Sequence, residues 1–347
     1  MPPARTTTRL LAGAAAAAAT AGIAASLRRG DPGPDPAADH GLGSLHGREL
    51  TVTTSDGVRL HVEELGPDDA PVTVVLAHGY THHRHAWHYQ ARHLAEEIDA
   101  PARVLVYDHR GHGRSDASPH GTATIEQLGH DLAQVIAQCA PTGPLVLGGH
   151  SMGGMTLMAF AEQYPDLVRE RVAGVALVGT SSGGLAEVTH GLPAPLVPLV
   201  RWALPRLNER RRWQAAAGKK PPAPSAAGTR RLLFGTNPSA AQVSFVAQLT
   251  ADCSADTVAD FYYTFENHDR GAALAAFREI PVLIVAGGKD ALCPEAHSRT
   301  MAQLLPDAEL VVYPDAGHMV HFEHHDDVNA RLARFVQHAI ARATAAA

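Results

Sequence analysis

Leu145-Val146-Leu147-Gly148-Gly149-His150-Ser151-Met152-Gly153 begins as a short apolar run and ends in a serine between glycines, with a helical pattern opening at Met155. Such a stretch reads as a buried strand that turns sharply into a helix, an elbow that carries Ser151 at its tip. A side chain at so tight a turn projects from the sheet edge, and the flanking glycines let neighbouring backbone pass where a Cβ would collide. Ser151 is therefore a candidate nucleophile. Because a five-residue G-x-S-x-G match arises easily by accident, the remainder of the chain must decide.

An activated serine needs a base, a group that orients the base, and donors for the oxyanion, in the chain order serine, acid, histidine for this setting. Pro281-Val282-Leu283-Ile284-Val285-Ala286 runs into Gly287-Gly288-Lys289-Asp290, which places a carboxylate just past a buried strand. Leu310-Val311-Val312-Tyr313 then runs into Pro314-Asp315-Ala316-Gly317-His318. Asp290 is the candidate acid and His318 the candidate base. Asp315 is a rival acid, but it belongs to the turn that presents His318 and is read as shaping that turn. The strand Val175-Ala176-Leu177-Val178 offers no alternative, since no carboxylate follows it until Glu187. Upstream, Val72 to Ala77 ends in His78-Gly79-Tyr80, so the amides of Tyr80 and Met152 are the candidate oxyanion donors.

Together with Asp108-His109-Arg110-Gly111-His112-Gly113-Arg114-Ser115, these motifs make the chain resemble the α/β-hydrolase superfamily over roughly residues 48 to 340. In that resemblance Asp108 to Ser115 is a scaffold turn, and a cap follows the sixth strand. The serine distinguishes the chain from epoxide hydrolases and haloalkane dehalogenases, which resemble it in cap position but carry aspartate at the elbow. The resemblance implies a serine hydrolase of carboxylic esters, lipase-like or esterase-like, that works through an acyl-enzyme on Ser151 and acts on a small ester or lipid. It also leaves open a cofactor-free peroxidase or perhydrolase, or a carbon–carbon bond hydrolase, all of which use the same three residues. A non-catalytic binding member of the fold is the remaining alternative, and such members usually lack one of the three.

Alternation of strand-like and helix-like periods extends this picture. Apolar runs begin near Leu50, Val58, Val72, Val104, Leu145, Val172, Pro281 and Leu310, with helical patterns around 86–99, 124–139, 154–164, 295–305 and 326–342. The fold expected is α/β, a doubly wound and mostly parallel eight-stranded sheet. About a hundred residues separate Thr180 from Ile280, where a crossover needs only a dozen or so. A helical cap over 181–275 is expected there, between core segments 44–180 and 276–347. Of 347 residues 45% are hydrophobic and 18% charged, enough for one large core. A net charge of −6 gives no reason to expect nucleic acid. Cys139, Cys253 and Cys293 are too few and too scattered for a disulfide framework.

Two further regions raise expectations of their own. Residues 1–43 read as a targeting or anchor segment and linker: Arg5 and Arg9 precede the uncharged, alanine-rich Leu10 to Leu27, and Arg28-Arg29 follow. A membrane-anchored or secreted protein is expected, with a cytoplasmic one as the alternative. Positions 201–234 carry nine basic residues against Glu209 alone, a face suited to an anionic lipid surface or simply to solvent. Histidine clusters at 82–88 and 318–325 invite a metal, but neither shows a ligand spacing such as H-E-x-x-H. No metal and no cofactor is expected. His150 and Cys293 are read as packing residues.

Overall fold

The computed structural model describes residues 41–98, 102–188 and 225–346, together with Arg206 and Trp213. Eight strands form one sheet: β1 (Arg48–Thr53), β2 (Arg59–Leu65), β3 (Thr73–Ala77), β4 (Arg103–Tyr107), β5 (Leu145–His150), β6 (Val172–Val178), β7 (Val282–Gly287) and β8 (Glu309–Tyr313). Their order is β1-β2-β4-β3-β5-β6-β7-β8, antiparallel as far as the β2–β4 pair and parallel from there on. Every strand begins at or close to an apolar run of the sequence.

The parallel strands β3 to β7 are dominated by apolar residues because both faces of that part of the sheet are covered, and successive residues divide between two cores. Val75 and Ala77 of β3, Leu147 of β5 and Ile284 of β7 pack with Leu132, Ile136, Leu157 and Phe160 from the helices Ile125–Cys139 and Met152–Gln163. Val74, Leu76, Val146 and Leu283 face the other way, against Trp87, Leu94, Val328 and Leu332. Parallel strands all finish at one edge, so His78, Asp108, Ser151, Thr180, Asp290 and His318 follow six adjacent strands along that edge.

The turn after β4 is held by a buried ion pair. Arg110 donates from Nε and Nη2 to the two carboxylate oxygens of Asp131, at 2.6 Å each, and from Nη1 to Asp56 at 2.8 Å. Removing one partner of a buried pair strands the other charge away from water. Asp131→Ala is accordingly expected to destabilise the protein by about 3 kcal/mol, the lower end for such pairs because Asp56 remains; urea unfolding measures it, and a midpoint like that of the wild type is the contrary result.

Between β6 and β7 the chain forms the helices Ala226–Leu233, Ala240–Asp252 and Ala255–Tyr262. Each begins with a serine whose side chain accepts the third-residue amide, Ser225, Ser239 and Ser254 in turn. The interval closes on itself. Arg270 N–H donates to Ser182 O at 2.6 Å and His268 Nε2–H to Ser181 O at 2.9 Å, so departing and returning chains meet at a neck.

The expectation of a membrane-anchored or secreted protein is corrected here. Among the described residues no helix is long and apolar enough to cross a membrane. Leu10 to Leu27, on which that expectation rested, lies outside the described residues, as does most of the basic stretch 201–234.

Candidate active site

Ser151 caps the helix Met152–Gln163 with φ 52° and ψ −119°, one of two non-glycine residues with positive φ among those described. A side chain in that region is strained, and surrounding contacts must hold it there. Ser151 N–H donates to Val178 O at 3.0 Å, and Thr180 Oγ1 donates to Ser151 O at 2.7 Å. The turn also needs room: a Cβ on Gly153 would lie 2.0 Å from Ala77 O.

Asp290 and His318 come together through main-chain contact of their loops. Gly288 N–H donates to Tyr313 O and Lys289 N–H to Ala316 O, at 2.8 Å each. A Cβ on Gly287 would stand 2.1 Å from Gly317 O, which is why the sequence has glycine where these loops cross. His318 Nδ1 lies 2.8 Å from Asp290 Oδ2, with both side chains buried. A carboxylate can only accept, so Nδ1 carries the proton and Nε2 is left with a lone pair. Asp290 Oδ1 accepts the amides of Leu292 and Cys293 at 2.8 Å each, which fixes the carboxylate in turn. The rival Asp315 is engaged elsewhere, its Oδ1 lying 3.1 Å from His324 Nε2.

The elbow and the His318 loop touch at His150, whose Nε2–H donates to His318 O at 3.0 Å. His150 is fully buried and does more than pack. Among the described residues no hydrogen bond joins Ser151 Oγ to His318 Nε2; in unliganded enzymes that contact is often long and tightens in the complex.

Gly79 lies against the nucleophile turn, since a Cβ there would be 3.2 Å from Ser151 Cβ. Tyr80 and Thr81 follow, Thr81 being the second positive-φ residue, at 63°. Thr81 N–H donates to His112 Nε2 at 3.3 Å, and His112 Nδ1–H donates to Arg110 O at 3.0 Å. His78 does the same work alongside: Nδ1–H donates to Gly79 O at 2.8 Å and Nε2 accepts His109 N–H at 3.0 Å. Both rings must be neutral to accept these amides, and burial keeps them so, pushing His112 down to about 4 and His78 well below the ordinary histidine value. By sequence this turn is scaffold, but its His112, together with His78 of the preceding loop, holds the loop of Tyr80.

Around His318 stand His82, His150 and His321, all buried. Burial, reinforced by the neighbouring imidazoles, holds His82 and His150 well below their usual range, and burial pushes His321 down to about 3. These rings carry no charge near neutral pH. Neither histidine cluster brings three ligating atoms together among the described residues; the group that does is Glu49, His61 and Glu63 on β1 and β2. Arginines already occupy that group, Arg114 bridging to Glu49 and Arg84 to Glu63.

An apolar wall completes the surroundings. Met152, Met155, Phe261 and Cys293 are buried in one cluster, with Tyr80, Leu185 and Phe265 packed on it. Tyr80 Oη donates to Val258 O, so the interval between β6 and β7 also contacts this loop.

A sequence model of the alpha/beta hydrolase fold matches residues 72–325. A monoacylglycerol lipase of Mycolicibacterium smegmatis is 31% identical over 286 residues, 76% of this chain and 87% of that protein. A 2-hydroxy-6-oxononadienedioate/2-hydroxy-6-oxononatrienedioate hydrolase of Klebsiella pneumoniae is 26% identical over 81% of this chain and 92% of its own length. Among solved structures, a thermophilic esterase from Thermogutta terrifontis superposes with a TM-score of 0.66 at 26% identity, covering 84% of this chain and 99% of that one.

Proposed function

The chain belongs to the alpha/beta hydrolase fold family, and on that footing we propose that it cleaves carboxylic esters through an acyl-enzyme on Ser151. The observation that carries this reading is the buried Asp290–His318 pair at the ends of β7 and β8, beside the strained Ser151 elbow on β5. In the proposed reaction His318 Nε2 takes the Ser151 proton as Oγ attacks the ester carbonyl. The amides of Tyr80 and Met152 hold the oxyanion, and His318 returns the proton to the departing alcohol. Water then attacks the acyl-enzyme by the same base. Asp290 keeps the proton on Nδ1 and stabilises the imidazolium that forms.

The apolar wall of Met152, Met155, Phe261 and Phe265 supports an apolar acyl group, and the monoacylglycerol lipase among the relatives supports a small lipid ester. The helices between β6 and β7 act in this reading as the cap, since Phe261 and Val258 reach the wall and the loop of Tyr80. Carbon–carbon bond hydrolysis is the second reading, favoured by the Klebsiella pneumoniae relative.

Purified protein assayed on p-nitrophenyl esters of increasing chain length, on a monoacylglycerol, and on a vinylogous ring-fission diketone separates the two. Higher kcat/KM on the esters is the expected result; preference for the diketone overturns it.

A further inference from the structure

Leu233-Phe234-Gly235-Thr236 links the helices Ala226–Leu233 and Ala240–Asp252 of the interval between β6 and β7, and it runs beside the loop that carries His318. Met319 N–H donates to Leu233 O at 2.9 Å, and Thr236 N–H donates to Asp315 O at 2.8 Å. His318 is thus bracketed by main-chain bonds to a segment more than eighty positions away. The two backbones are in direct contact: a Cβ on Gly235 would lie 1.9 Å from Asp315 O, and one on Gly317 would lie 2.5 Å from Phe234 C.

Glu323, at the end of the short helix Val320–Glu323, joins both sides. Its Oε2 accepts Gly235 N–H at 2.8 Å and its Oε1 accepts Gly317 N–H at 2.7 Å. From the opposite direction Lys289 Nζ donates to Thr236 Oγ1 at 2.6 Å, and Lys289 immediately precedes Asp290. One four-residue segment therefore touches the loop of the acid and the loop of the base.

We propose that Leu233–Thr236 is a strap and Glu323 a positioning residue: the carboxylate, by holding the amides of Gly235 and Gly317 together, sets where the backbone of His318 stands relative to Ser151. This rests on the reading of His318 as the base. Asp290 holds Nδ1 and so selects the tautomer, but a single hydrogen bond at one ring nitrogen does not place the other end of the ring. Gly317 directly precedes His318, so the orientation of its amide fixes the direction in which the chain enters that residue. Because the other amide on the carboxylate belongs to the interval between β6 and β7, the placement of that interval and the aim of His318 are one mechanical unit.

Glu323→Gln keeps the shape of the side chain but turns an amide group toward a backbone N–H that needs an acceptor. With the best ester found for the wild type, it is expected to lower kcat about 10²-fold, the usual consequence of displacing a reacting group by an ångström, with KM unchanged. Fluorophosphonate labelling of Ser151 should slow in proportion, and the downfield proton resonance of His318 Nδ1–H should broaden as the ring loses its fixed place. Thr236→Val, which removes only the hydroxyl's contact with Lys289 Nζ and its 3.2 Å bond to Asp315 O, should show a smaller loss of kcat with the same unchanged KM. It decides the matter should Glu323→Gln fail to fold. Wild-type kcat and labelling in a folded Glu323→Gln, or in Thr236→Val when that variant must decide, overturn the strap even if thermal stability falls. His318→Gln, run in parallel, separates the two failures: turnover retained there removes the base assignment itself, whereas an inactive His318→Gln beside a normal Glu323→Gln removes only the strap.

Discussion

Ser151→Ala is expected to lower ester turnover about 10⁶-fold, the loss seen when a serine hydrolase gives up its nucleophile, and to abolish covalent labelling by a fluorophosphonate. The size of the effect follows from the elbow. Ser151 is held at φ 52° by contacts from β6, so its side chain is fixed at the strand edge. Alanine meets the same backbone strain, so the variant should fold as the wild type does, and circular dichroism with thermal unfolding checks this. Active-site labelling followed by peptide mapping then gives the answer. A label that persists on Ser151→Ala places the nucleophile elsewhere.

The acid gives the second large effect. Asp290→Asn is expected to reduce kcat by up to about 10⁴-fold, the order known from the serine protease example in which the orienting aspartate becomes asparagine. Asparagine can present an N–H to His318 Nδ1, which then becomes the acceptor and leaves Nε2 protonated and unable to act as a base. The fold should survive, because the amides of Leu292 and Cys293 bond the other carboxylate oxygen, Oδ1, and the side-chain carbonyl of asparagine can replace it. Asp315→Asn should cost far less: its carboxylate meets His324 at the surface, and its tie to the strap runs through its main-chain oxygen. Measuring kcat for both variants at neutral pH decides between the two acids. A collapse in Asp315→Asn beside near-normal turnover in Asp290→Asn reverses the assignment.

The strands were legible because a strand buried on both faces is a continuous apolar run, and Val74–Ala77, Leu145–Leu147 and Pro281–Ala286 are such runs. Ser151, Asp290 and His318 could be placed for the same reason, each standing just past the end of one. Shorter and less regular elements were not visible. The helix Pro165–Arg171 buries only Val168, too little for a periodic face, and its signals are confined to its ends: Pro165 and Asp166 in the first turn, Arg169 and Arg171 in the last. Residues 86–99 read as one helix, but the chain there forms a 3₁₀ turn at Arg84–Trp87, an α-helix at His88–Arg92 and a π-helical turn at His93–Glu97. Apolar spacing does not distinguish these hydrogen-bond patterns over so few residues. Glu323 and His112 escaped for a different reason: both bond main-chain amides of distant segments, and a backbone amide leaves no trace in residue type.

The neck at Ser182 and Arg270 has an evolutionary consequence. A stretch whose two ends are already fastened together can be lengthened cheaply, each doubling of a flexible loop adding only about 0.6 kcal/mol of closure entropy. The sheet would therefore scarcely register the exchange of one insert for another of different size, and substrate range could drift while the chemistry at the strand ends stayed put. A graft of this kind would have to return to the neck, offer the His318 loop a backbone as bare as Gly235, and meet the loop of Tyr80 and the wall as Val258 and Phe261 do. Diversification of the insert would thus be resisted at the neck, over the four residues of the strap, and where Val258 and Phe261 meet the loop of Tyr80 and the wall.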